Sequence, residues 1–125
     1  MAIDRVLLVD DEVEFVETLA ERLRARGLEV EVALTGPAAV KQAEAARFDA
    51  VVLDFAMPGG MDGIATLKAL LAATPDLQVM LLTGQATIKT AIDATRLGAV
   101  DILEKPLDIA TLLEKIREAR ARRAG

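Results

Sequence analysis

Three carboxylates, a hydroxyl and an ammonium stand where short apolar runs of this chain end. Arg5-Val6-Leu7-Leu8-Val9 leads into Asp10-Asp11, and Ala50-Val51-Val52-Leu53 leads into Asp54. Two further strand-like runs end in Thr83 and in Lys105-Pro106. In an open parallel sheet the strand C-termini converge on one edge, so these five groups could share a site. Clustered carboxylates repel one another and raise each other's pKa unless a cation joins them. The pattern suits a metal-dependent phosphoryl site with one carboxylate left to react. Each piece also has a plainer reading. Acids after a strand often cap the next helix, Thr83-Gly84 is a loop start, and Lys105 is a surface lysine before a turn. Asp54 resists this treatment, because it follows three apolar residues and precedes Phe55, a poor place for a solvated charge.

Composition narrows the chemistry. The 125 residues include no histidine, the usual general base and transition-metal ligand, and no cysteine for a disulfide or a thiolate site. A metal here must be held by oxygen, which points to magnesium, manganese or calcium. The net charge of −5 argues against nucleic acid as the direct partner. The exception is a basic tail, Arg117, Arg120, Arg122 and Arg123, which reads as helix-end charge or as the start of a linker. Apolar stretches are too short to span a bilayer, and Asp4-Arg5 before the first run does not look like a signal peptide. No membrane association and a cytoplasmic location are expected.

The length suits one domain, residues 1–125, with one proper core. Residues are 53% hydrophobic but only 2% aromatic, so Val, Leu, Ile and Ala must build that core, as in helices packed on a buried sheet. Strand and helix signals alternate throughout. Strands are predicted at Val6–Val9, Leu28–Leu34, Val51–Leu53, Leu77–Leu82 and Val100–Leu103. The first helix is predicted from Glu12 to Arg26, with Phe15, Leu19 and Leu23 on one face and Gly27 as its stop. Glu12, Glu14 and Glu17 lie in its opening turns, where the helix dipole favours negative charge. Thr35 is a plausible cap for a second helix with Pro37 in its first turn. Further helices are predicted over Ile64–Ala73 and Ala86–Leu97. Asp108 caps the last, whose stripe is Ile109, Leu112, Leu113 and Ile116. Five βα units with short connections require a parallel sheet covered by helices on both faces, a doubly wound α/β domain. No candidate group follows strand two, which fits a flavodoxin-like (βα)5 fold of strand order 2-1-3-4-5, where that strand is an edge.

Val9-Asp10-Asp11-Glu12, Asp54 with Met57-Pro58, Thr83-Gly84 and Lys105-Pro106, taken together over essentially the whole chain, resemble the response-regulator receiver domain of two-component signalling. The stretch from Leu82 to Pro106 is most similar to receivers that control sigma-54-dependent activators. The resemblance implies that Asp54 takes a phosphoryl group from a sensor histidine kinase or phosphotransfer protein. It implies Mg²⁺ held by Asp11 directly, Asp10 through water, Asp54, and the backbone carbonyl of Ala56. Lys105 would pair with a phosphoryl oxygen and Thr83 would donate its hydroxyl to another, its inward movement being the switch. The Lys105–Pro106 peptide is expected to be cis. Such a domain is a signalling phosphoacceptor that catalyses only its own phosphorylation and dephosphorylation. Helix four, strand five and helix five would face the output domain, a partner protein or a second copy of the chain, with Ala91, Ile92 and Thr95 on that surface. Ordinary core packing is the plainer reading of those three. A dehalogenase-type phosphatase would need Asp-x-Asp after the first strand, where this chain has Asp10-Asp11-Glu12.

Two departures from the family pattern stand out. Gly59-Gly60-Met61 separates Pro58 from Asp62, one residue more than usual, but beyond Ala56, so the implied metal carbonyl should keep its register. Ile102 stands where many receivers carry a Tyr or Phe that turns inward with the threonine. With no ring to swing, the output change is expected to lie in loop and helix-four shifts. Ala56 and Gln85 occupy positions that tune self-dephosphorylation in the family.

Overall fold

The computed structural model describes residues 4–55, 63–84 and 87–124. Its strands are β1 (Arg5–Val9), β2 (Glu29–Ala33), β3 (Ala50–Asp54), β4 (Val79–Thr83) and β5 (Asp101–Glu104). Its helices are α1 (Val13–Ala25), α2 (Gly36–Ala45), α3 (Gly63–Ala73), α4 (Ile88–Arg96) and α5 (Ile109–Ala124). The strands pair in parallel in the order β2-β1-β3-β4-β5, the expected doubly wound arrangement.

Alternation along the buried strands sorts the core into two layers. Val6, Leu8, Val52, Met80 and Leu82 join Val16, Leu19, Ala20 and Leu23 of α1 and Leu112, Ile116 and Ala119 of α5. Leu7, Val9, Val51, Leu53, Val79 and Leu81 join Ala39 and Ala43 of α2, Leu67 and Leu70 of α3, and Ala94 of α4. With β1, β3 and β4 almost wholly buried, their apolar runs are continuous, as a sheet covered on both faces requires. The outward carbonyls of the edge strand β2 are also satisfied. Arg24 donates to Val30 O at 2.7 Å and Gln42 to Val32 O at 3.2 Å.

The helix ends carry the capping chemistry. The Thr35 hydroxyl accepts from Ala38 N–H at 3.2 Å with Pro37 just inside, as expected. Asp108 accepts from Thr111 Oγ1 at 2.8 Å at the head of α5. Helix α4 begins two residues later than predicted, because Thr87 and Thr90 form a reciprocal capping box at its first turn. Strand β5 starts at Asp101 rather than Val100, although Val100 N–H already reaches Val79 O at 2.9 Å. Gly27 and Gly98 end their helices with φ of 91° and 98°, values that favour glycine.

Candidate functional site

The parallel register brings the predicted groups to one edge. Asp10 follows the last residue of β1, Asp54 and Thr83 are the last residues of β3 and β4, and Lys105 follows β5. Neighbouring backbones lock these ends together. Asp10 N–H donates to Ala33 O at 3.1 Å, Phe55 N–H to Leu82 O at 2.8 Å, and Lys105 N–H to Thr83 O at 2.8 Å. The Lys105–Pro106 peptide is cis, as the sequence suggested.

Burial sets these side chains apart. Asp10 is 2% exposed, Asp54 5% and Thr83 9%. A buried carboxylate is costly unless paired, and Lys105 is the cation that does the pairing. Its Nζ lies 2.7 Å from Glu12 Oε1, 3.2 Å from Asp10 Oδ2 and 3.9 Å from Asp54 Oδ2. The ammonium also stands 4.5 Å from the centroid of the Phe15 ring. Partial burial by itself lowers the lysine pKa. The hydrogen bond to Glu12, with the nearby carboxylates of Asp10 and Asp54, outweighs that and holds it above its ordinary value.

One carboxylate oxygen each from Asp10, Glu12 and Asp54 lie within 4.8 Å of one another. Three carboxylates against one ammonium leave two negative charges, which one divalent cation would offset. Asp10 Oδ1 accepts from Glu12 N–H at 2.9 Å, while among the described residues its buried Oδ2 has no hydrogen-bond partner and only the ion pair to Lys105. An oxygen left in that state among hard oxygen donors fits a magnesium-type ion. Asp11 is exposed and outside this group. Glu12 was legible only as a helix-start acid. It is the residue before α1 but makes no side-chain cap, because its carboxylate is turned to Lys105. Ala56, the Met57–Asp62 loop with its extra glycine, and Gln85 lie outside the described residues.

Ile102 is half-buried in β5 against the α3/α4 side of the core. With Ala91, Ala94, Thr95, Ala99, Val100 and Asp101 it lines a cavity of about 200 Å³ between α4 and β5. Ala91 and Thr95 also line an apolar groove on α4 with Ile88, Ile92 and Arg96, and Ile88 is 81% exposed.

Residues 6–117 match the family model of the response regulator receiver domain. The chain belongs to that family. Receiver domains of response regulators work with histidine kinases and output domains. This one is similar to the transcriptional regulatory protein ZraR of Salmonella typhimurium, 39% identical over 116 residues, 93% of this chain. It spans only 26% of that protein's length. Among solved structures, a CheY-like receiver domain protein from Methanospirillum hungatei superposes with a TM-score of 0.89 at 27% identity, covering 98% of both chains. A Burkholderia pseudomallei response regulator, described with a phosphorylated aspartic acid, a calcium ion and citrate, matches with a TM-score of 0.81 at 32% identity. That match covers 97% of this chain and 73% of the other. The clustering of Asp10, Glu12 and Asp54 is of the kind found in receiver domains that bind Mg²⁺. No described helix is long and apolar enough to cross a membrane.

Proposed function

We propose that Asp54 is the phosphoacceptor of a single receiver domain over residues 1–125, charged by a sensor histidine kinase or phosphotransfer protein. The observation that carries this is the buried Asp54 carboxylate at the end of β3, 3.9 Å from Lys105 Nζ and grouped with Asp10 and Glu12. A carboxylate oxygen of Asp54 forms the new O–P bond as the N–P bond to the donor's imidazole breaks, and the imidazole leaves with that electron pair. A carboxylate nucleophile needs no separate base to take a phosphoryl group. Lys105 offsets charge on one phosphoryl oxygen, and Thr83 donates its hydroxyl to another. Asp10, Asp54, Glu12 or Asp11, and the Ala56 carbonyl would hold Mg²⁺, which when bound supplies charge for the anionic transition state. The chain catalyses only its own phosphorylation and dephosphorylation.

Movement of Thr83 toward the phosphoryl group, with Ile102 adjusting little, shifts α4 and presents the α4–β5–α5 face to an output domain, a partner protein or a second copy. The groove beside Ile88 and Ile92 supports that choice of face. The likeness to a part of transcriptional regulators supports a cytoplasmic role upstream of transcription, with any nucleic acid bound elsewhere than on this acidic domain. The test is intact mass after incubation with Mg²⁺ and a small phosphodonor. One phosphoryl group is expected, lost with a chelator and in Asp54→Ala. A gain that survives the substitution overturns the assignment.

A further inference from the structure

The chain has only three aromatic residues, all phenylalanine, and two of them flank the site. Phe48 is core, 1% exposed, and Phe55 follows Asp54. Phe15 is half-buried in the first turn of α1, with Lys105 Nζ 4.5 Å from its ring centroid. The ring also packs against the core layer between α1 and the sheet, which fixes where its face stands relative to the lysine.

Among the described residues, the lysine's other partners are the carboxylates of Glu12, Asp10 and Asp54. The nearest, Glu12, has a side chain 63% exposed, so solvent screens that ion pair. A cation within about 6 Å of an aromatic face is attracted by the ring quadrupole. Unlike a carboxylate, the ring takes none of the three ammonium N–H donors for a conventional hydrogen bond. We infer that Phe15 is a positioning residue for phosphoryl transfer. Its face seats the Lys105 ammonium beside Asp54 while leaving those donors available to phosphoryl oxygens. This rests on the reading of Asp54 as acceptor and goes beyond it, since Phe15 touches neither donor nor metal.

Two measurements on the full chain test the inference. The first uses unphosphorylated protein. Ring current should move the Lys105 ε-proton resonances upfield, and Phe15→Leu should return them to ordinary values while Phe15→Tyr keeps the shift. The second is the rate of Asp54 phosphorylation by acetyl phosphate at saturating Mg²⁺. Phe15→Leu should slow it about twofold to thirtyfold, the range a cation–π contact spans. Phe15→Tyr should restore it, and Phe15→Leu should have no further effect when added to Lys105→Met. Equal rates in the Leu and Tyr variants, or an undiminished effect in the Lys105→Met background, would overturn the proposal. Wild-type protein that took up no phosphoryl group would instead sink the acceptor reading, and the ring-current shift would then decide the seating of the lysine.

Discussion

Helices α1 and α4 flank opposite sides of the same site and are held in opposite ways. Helix α1 buries Val16, Leu19, Ala20 and Leu23 against the sheet, and its first turn supplies the ring against Lys105. In α4 the buried residue is Ala94, while Ile92 is 49% exposed and Ile88 more so. Besides that one burial, α4 starts on the Thr87–Thr90 capping box and borders a cavity beside β5. The charged half of the site is thus mounted on a more deeply buried helix than the half beside Thr83 and Ile102. Elements with few buried apolar contacts open at the lowest cost in free energy, which suits the side that must transmit a change.

The contrast breaks first if burial is not what separates the two helices. Leu23→Ala is expected to cost about 2–5 kcal/mol in urea unfolding, and Ile92→Ala no more than about 0.5 kcal/mol. Comparable losses from the two would refute it. Thr87→Ala should cost about 0.5–2 kcal/mol, with amide hydrogen exchange quickening in α4 and unchanged in α1. A smaller effect concerns the neighbouring β5–α5 tie, where Lys115 Nζ lies 3.0 Å from Asp101 Oδ2. The hydrogen bond and charge of Asp101 raise the lysine above its ordinary 10.5. A raised folded-state pKa means this stabilisation is fully present below 10.5 and lost as pH climbs through the higher folded value. Lys115→Met should therefore soften the alkaline fall in stability, read from unfolding midpoints across that range.

Most of the fold was legible because continuous apolar strands, glycine stops and the Thr35 and Asp108 caps are local signals. Asp10, Asp54, Thr83 and Lys105 were legible as one edge because parallel strands bring their C-termini together. The α4 cap was missed, since Thr87 lies inside a run that reads as helix from Ala86. Glu12 and Phe15 were read as dipole and core-stripe residues, both valid local roles. Their meeting with Lys105 depends on side-chain reach between residues ninety or more positions apart, which no local pattern encodes.

Gly63 opens α3 in contact with the chain at Phe55, so closely that a Cβ there would overlap the Phe55 carbonyl oxygen. Phe55, just past Asp54, and the first residue of α3 therefore lie side by side. Lengthening a segment whose two ends are already tied costs little, about 0.1 kcal/mol for one added residue. Change at this place is accordingly lopsided. Insertions between the tied ends are cheap, which accommodates the additional glycine, while a single methyl group at position 63 is the alteration the fold would refuse.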